Sequence, residues 1–267
     1  MTKKQILLTN DDGIRSPGLW AAAEALSELG FVTVAAPREQ ASGMGRSMPS
    51  TSDGIITPET VTVNGQAWTV YAVGGSPAQA VQHGILEIMP QRPDLVVSGI
   101  NYGENLGMGI SVSGTVGAAM EAVALDVPAV AISLETDKKH HLSYSNDVNF
   151  LHAAYFAAFF AKKLLEKDFP AGTNLLKVDV PRNATPQTPW HTTHLSHNRY
   201  FHPLPNRERA WDKPAYMDYE VAPMRPDESV KSDVYVLHKK REVTVTPLTL
   251  DFTARVDLDE FDDFLRE

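Results

Sequence analysis

The 267-residue sequence predicts an α/β fold built on a mostly parallel sheet, and three observations carry that expectation. Short β-branched or aliphatic runs alternate with helical patterns through the first half of the chain, the signature of parallel strands joined by crossover helices. Ser16-Pro17 and Ser76-Pro77 each set a cap residue and a first-turn proline before apolar residues at helical spacing. Polar, glycine-containing loops follow three of the apolar runs.

In chain order, Ile6 to Leu8 reads as the first strand, and Leu19, Trp20, Ala23, Leu26 and Leu29 mark a helix that Gly30 closes. Phe31 to Ala36 is a second strand. Thr60 to Val63 and Trp68 to Val73 flank Asn64-Gly65, a dipeptide that favours a tight hairpin turn. A helix ends near Pro90, Asp94 to Ser98 is a buried strand, Gly99 to Val112 a loop, Gly114 to Leu125 a small-residue helix and Ala129 to Leu134 another strand. Asp147 to Glu166 reads as a long helix and Asn174 to Val180 as a further strand. Eight prolines between Pro181 and Pro226 then break the rhythm, and Val234 to His238 with Val243 to Pro247 reads as a second hairpin. The expectation is a regular core over residues 1–180 and an irregular, hairpin-rich part over residues 181–267.

Composition narrows the function. With 43% hydrophobic and 21% charged residues, a chain this long buries a core without covalent staples. The absence of cysteine removes disulfides, thiolate metal sites and cysteine nucleophiles, so any metal must take oxygen or imidazole ligands. A net charge of −9 disfavours extended nucleic acid as a partner. Neither a signal-peptide core nor an 18-residue apolar run is present, which predicts a soluble, cytoplasmic protein without a membrane partner.

Four loops carry candidate chemistry. Thr9-Asn10-Asp11-Asp12-Gly13 closes the first strand, where open parallel sheets bind ligands; two adjacent carboxylates there call for a cation, although the same residues also suit a plain turn. Ser42, in the Ala41 to Ser47 loop, can offer a hydroxyl to a metal or phosphate, and Arg46 can face an anion. Asn101, in Ser98 to Asn105, can supply a neutral amide oxygen or serve as a turn residue. Asp11, Asp12, Ser42 and Asn101 together form an all-oxygen set suited to Mg²⁺, Mn²⁺ or Ca²⁺. Ser111 to Gly117 opens a helix with hydroxyls and glycines, as an anion cradle or an ordinary serine cap would. The nine histidines fit no zinc spacing, and His140-His141, His191, His194, His197 and His202 read as solvated loop residues. Tyr200, Phe201, Trp211, Tyr216 and Tyr219 can stack on a base, cover the core or face another subunit.

Jointly, TNDDG, the Ser-Gly loop, Gly74 to Ala78, Ser98 to Gly107 (SGINYGENLG) and Ser113 to Ala122 (SGTVGAAMEA) resemble, in the same order, the SurE family of metal-dependent 5′-nucleotidases. Asn174 to Pro181 and Val243 to Leu248 also look like that family's later strands. The resemblance implies a Rossmann-like three-layer core and hydrolysis of nucleoside 5′-monophosphates with one divalent ion per subunit, Mg or Mn. It implies metal ligands at Asp11, Asp12, Ser42 and Asn101, catalytic roles for Asp11, Asp12 and Asn101, and phosphate contacts at Ser113, Gly114 and Thr115. It further implies a homodimer or homotetramer with exchange of the C-terminal part. Where the family often carries Asp-Arg-x-Gln before the Ser-Gly, this chain has Arg38-Glu39-Gln40-Ala41. A metal-dependent glycosyltransferase and a non-catalytic nucleotide-binding module are the alternatives.

Overall fold

Strand β1 (Lys4–Thr9) buries Ile6, Leu7 and Leu8 completely, so it is covered on both faces as a central parallel strand must be. A computed structural model of the chain describes residues 3–141, 144–145, 147–206, 211–215 and 217–266. Helix α1 (Pro17–Leu26) begins where Ser16-Pro17 predicts and returns the chain to β2 (Gly30–Pro37), which runs parallel to β1. The hairpin of β3 (Ile56–Val63) and β4 (Gln66–Val73) turns on Asn64 and Gly65, whose φ angles of 49° and 73° are the pair of positive values a two-residue primed turn requires. At the start of α2 (Pro77–His83) the Ser76 hydroxyl accepts from the Gln79 amide while the Gln79 side chain accepts from the Ser76 amide, a reciprocal cap.

Crossovers then continue through β5 (Leu95–Tyr102), α3 (Gly114–Ala124), β6 (Ala129–Leu134), α4 (Leu151–Glu166) and β7 (Leu175–Val180). The long helix starts at Leu151 rather than Asp147, because the Asn149 side chain accepts the Leu151 amide at 2.9 Å and ends the preceding loop there. Beyond Val180 come β8 (Trp190–Thr192), a short hairpin of β9 (Phe201–Leu204) and β10 (Asp218–Val221), a helical turn α5 (Asp233–Tyr235), β11 (Val243–Leu248) and α6 (Leu258–Arg266).

The predicted second hairpin is corrected here. Val234 to His238 is helical: the Ser232 hydroxyl caps the turn by accepting from the Tyr235 amide at 3.1 Å, and wider helical turns extend to Lys240. Val234 and Leu237, three apart, pack on Leu106 and Tyr200, so valines that read as strand formers serve a helical face. Its supposed partner β11 instead pairs antiparallel with β7 and parallel with β8.

The resulting nine-stranded sheet has the order β3-β4-β2-β1-β5-β6-β7-β11-β8, antiparallel only at β3–β4 and β7–β11. Helices α1 and α4 contribute to the core on one face, and α2 and α3 to the core on the other, giving three layers. The chain winds one way from β1 to β2 and the other way from β5 to β6 and β7. The carboxyl ends of β1 and β5, adjacent in the sheet, therefore flank the crevice where such folds bind ligands.

A buried charge cluster ties the loop after β5 to the C-terminal strands. Lys177, Asp179 and Asp233 are fully buried; the Lys177 ammonium lies 3.0 Å from Asp233, contacts Asp179 and donates to the Asn105 carbonyl at 2.8 Å. In return, Asp179 accepts from the Asn105 amide and Asp233 from the Gly107 and Ser196 amides. Replacing Lys177 by Met strands two buried carboxylates, so the variant is expected to lose about 3–5 kcal/mol of stability in denaturant titration. A loss below about 1 kcal/mol would contradict this account of the loop's anchorage.

A candidate active site at the switch point of the sheet

Asn10 shapes the loop after β1 before any chemistry is considered. Its side-chain amide donates to the Gly13 carbonyl and accepts from the Gly13 amide, both at 3.1 Å, closing a turn that sets Asp11 and Asp12 at the strand end. Gly13 has φ of +95°, and a Cβ there would stand 3.0 Å from the Glu39 backbone, so glycine is required on both counts. The Ala41 amide donates to the Asp11 carbonyl at 2.7 Å and brings the Ser42 loop alongside.

Asp11 and Asp12 are almost completely buried. Asp11 accepts from the Thr115 hydroxyl at the start of α3, and a Cβ on Gly114 would come within 2.7 Å of the Asp11 Cβ, so only glycine lets this helix start approach so closely. Burial pushes the Asp11 carboxyl up to about 6, against the downward pull of the Thr115 hydroxyl and nearby amides. Asp12 accepts from the Tyr102 amide and from the Gln40 side chain, both at 3.2 Å. Its pKa stands well above the carboxylate range, first through burial and then through repulsion from Asp11. Neither carboxylate has a basic salt-bridge partner among the described residues. A divalent cation fits this pair, because it would supply the positive charge the protein withholds.

Strand β5 delivers the next donor through an irregularity. Its pairing with β6 slips between Ser98 and Asn101, placing one more residue on β5 than on β6. Beyond the slip, Tyr102 turns its amide to Asp12, and Asn101 donates its side-chain nitrogen to the Gly103 carbonyl at 2.6 Å, which leaves the amide oxygen as the atom free to accept. Asp11, Ser42, Asn101 and Ser113 all line one cavity of about 770 Å³. Ser113 caps α3 by accepting from the Val116 amide at 3.1 Å, so its hydroxyl proton remains available to a ligand.

The geometry therefore brings Asp11, Asp12, Ser42, Asn101, Ser113, Gly114 and Thr115 to one place, with Asp12 just behind the cavity wall. Thr115 spends its hydroxyl on Asp11, and its backbone amide, with that of Gly114, also bears on that carboxylate. Arg46 is not aimed at the cavity: its guanidinium Nε donates at 2.7 Å to Glu121, a buried carboxylate on α3 that also accepts from Gln82.

Three comparisons with known proteins agree. The family model described as survival protein SurE matches residues 6–202. The chain belongs to the SurE family. It is 41% identical over 256 residues to the 5′-nucleotidase SurE of Thermococcus kodakarensis, covering 96% of each chain. To that of Methanocaldococcus jannaschii it is 39% identical over 264 residues, again covering 96% of each chain. Among solved structures, the SurE protein of Aquifex aeolicus superposes with a TM-score of 0.75 at 29% identity, covering 98% of this chain and all of that one. This likeness fits the Rossmann-like, three-layer α/β core described above.

Against the SurE motifs, two further residues stand out. Gln40, from the stretch that departs from the family's frequent pattern, uses one nitrogen to bridge Asp12 and the His141 carbonyl, the latter at 2.8 Å. His141, read from sequence as a solvated loop histidine, is half-buried and lines the cavity. No local motif marks it; its place follows from Gly103, where φ is +100° and a Cβ would meet the imidazole at 2.7 Å. Of the aromatics, Phe201 and Tyr219 line the cavity, Tyr200 is buried, Trp211 is exposed and Tyr216 lies outside the described residues.

Glu104, also on the cavity wall, is only 5% exposed; it accepts from the Tyr200 hydroxyl, which is in turn 2.7 Å from His238 Nε2. Burial pushes its carboxyl up to about 7 from the ordinary 4.5. Folded protein thus holds a proton that unfolded chain has released across that window, so this group's contribution makes stability fall as pH rises through it. Glu104→Gln removes that slope and is expected to gain up to about 3 kcal/mol on the native sequence between about pH 5 and pH 8. Parallel stability curves for the two proteins would contradict it.

Proposed function

We propose that this chain is a metal-dependent 5′-nucleotidase, releasing phosphate from nucleoside 5′-monophosphates. The observation that carries the reading is the pair Asp11 and Asp12, buried without a basic partner among the described residues, with Asp11 beside the start of α3 and lining the cavity shared with Ser42, Asn101 and Ser113. Names printed for the relatives point to the same reaction. Asp11, Asp12, Ser42 and Asn101 would hold one divalent ion, Mg or Mn given their all-oxygen chemistry. When bound, that ion neutralises phosphate oxygens and activates the attacking water.

The chain's own residues supply the remainder. Ser113 donates its free hydroxyl proton to a phosphate oxygen, and the positive end of α3 at Gly114 and Thr115, whose amides bear on Asp11, favours the negative charge of the phosphoryl group. Thr115 and the nearby amides hold Asp11, while Gln40 and the Tyr102 amide hold Asp12, so each carboxylate is fixed before substrate arrives. The sugar-transfer and binding-only alternatives have no observation of their own.

The reading extends to assembly and place. Helix α6 buries none of its residues and exposes Leu258, Phe261, Phe264 and Leu265, an apolar set that a second copy of the chain would cover, in keeping with a homodimer or homotetramer that exchanges this segment. No helix among the described residues is long and apolar enough to cross a membrane, and a cytoplasmic location belongs to the same proposal.

A panel of nucleoside monophosphates assayed with Mg²⁺ and Mn²⁺ tests the activity. Chelation should abolish phosphate release and either metal should restore it; Asp11→Asn and Asp12→Asn should each lower the rate by about 10²-fold or more with folding intact. Full activity in metal-free protein, or near-native rates in either variant, would overturn the assignment.

A further inference from the structure

Of the proposed metal donors, Ser42 is the one farthest from a strand. Asp11 and Asp12 stand close behind β1 and Asn101 lies within β5, whereas Ser42 belongs to the loop beyond β2. Ser42 is exposed, and its hydroxyl makes no hydrogen bond among the described residues. Its neighbour Gly43 is exposed too, at φ of +76° with open space where a Cβ would stand, so packing does not hold the chain there. A neutral hydroxyl serves a hard cation only where the backbone carries it to the right place. Ser42 must therefore be placed by the anchors on either side of it.

On the near side, the Ala41 amide holds the Asp11 carbonyl at 2.7 Å. On the far side the loop docks on α3. The Gly45 amide donates to the Val112 carbonyl at 3.0 Å, and the approach is so close that a Cβ on Gly117 would stand 2.2 Å from the Gly45 carbonyl oxygen. The next residue, Arg46, sends its guanidinium to one oxygen of Glu121 on α3 at 2.7 Å. Glu121 is only 3% exposed, and its other oxygen accepts from the Gln82 side chain on α2 at 2.8 Å. One buried carboxylate thus ties the Ser42 loop to both helices of that layer. The Gly74 to Ala78 stretch, with Gln79 after it, continues the hold farther along. There the Ser76 hydroxyl donates to the Ser47 carbonyl at 2.6 Å, and the Gln79 side chain donates to the Pro49 carbonyl at 3.1 Å.

We propose that Glu121 is a positioning residue for the metal: through Arg46 it fixes the far end of the Ser42 loop and so sets the Ser42 hydroxyl beside Asp11 and Asp12. The inference rests on the metal-dependent reading and adds to it a residue that touches neither ion nor substrate. A buried carboxylate needs partners, and here Arg46 supplies the cation while Gln82 fills the second oxygen. Glu121→Gln offers one acceptor oxygen where two donors arrive, so one of them loses its partner and the loop its charged anchor. Gly43 lets the chain rotate next to Ser42, and the slack reaches the hydroxyl. Asp11 and Asp12 keep their own donors from Thr115, Gln40 and the Tyr102 amide, so only the Ser42 share of metal binding falls.

The test is the Mn²⁺ affinity of the full-length protein, read from the electron paramagnetic resonance of the free ion and so independent of turnover. Glu121→Gln and Arg46→Gln should each weaken binding by about 10-fold with folding intact. The Arg46 side chain is 39% exposed, so Arg46→Gln carries the test if Glu121→Gln fails to fold. A double-mutant cycle separates positioning from general loosening. Ser42→Ala should itself weaken binding, and in that background, where no hydroxyl is left to place, adding Glu121→Gln or Arg46→Gln should change the affinity by less than about twofold. A further loss of about 10-fold there would mean that Glu121 acts elsewhere, and it overturns the proposal, as does native affinity in both single variants. If Ser42→Ala binds Mn²⁺ as the native protein does, Ser42 is not a ligand and the positioning role is overturned while the carboxylate site stands. If the native protein binds no Mn²⁺, the metal reading itself fails and takes this proposal with it.

Discussion

Two carboxylates buried side by side, with no basic partner among the described residues, are the constraint around which this molecule is arranged. Asp11 and Asp12 repel one another in a poorly solvated crevice, and the fold meets that cost with donors from three separate segments. Thr115 comes from the start of α3, the Tyr102 amide from the end of β5 and Gln40 from the loop after β2. Each segment reaches the pair because β1 lies between β2 and β5, at the point where the winding reverses. A different sheet order would separate the same residues.

Close approach depends on glycine at a few places rather than on loop flexibility. Gly114 lets α3 meet Asp11, and Gly13 lets the Asp11-Asp12 turn pass the Glu39 backbone. The slip in β5 pairing then sends Asn101 and the Tyr102 amide in their two directions, one to the cavity and one to Asp12. Farther out, Lys177, Asp179 and Asp233 anchor the Asn105–Gly107 loop to the C-terminal strands, so residues beyond Val180 support the site although the nucleotide phosphate need never touch them.

The crossover core was legible because its signals are local: strand runs of β-branched residues, serine caps followed by proline, and Asn-Gly at the hairpin. That Asp11, Asp12, Ser42 and Asn101 come together was legible for a related reason, since they lie at or just beyond the carboxyl ends of neighbouring strands, although Asn101 proves to be inside β5 and not in the loop after it. His141 and Gln40 were not, because their importance comes from contacts across about a hundred residues of chain and no local pattern encodes them. Val234 to His238 misled through propensity, its valines suiting either a strand or the apolar face of a capped turn; only packing on Leu106 and Tyr200 decides between these. Arg46 looked like an anion ligand until Glu121, seventy-five residues later, came to meet it.

The central claim is that the oxygen set at the switch point holds the divalent ion. Crystals grown with Mn²⁺, with anomalous data collected at the manganese edge, test it directly. A single strong peak per chain, within about 2–2.5 Å of Asp11 and Asp12 oxygens and reached by Asn101 and Ser42, is the predicted result. A peak elsewhere on the chain, with Asp11 and Asp12 bound only to protein and water, would contradict it.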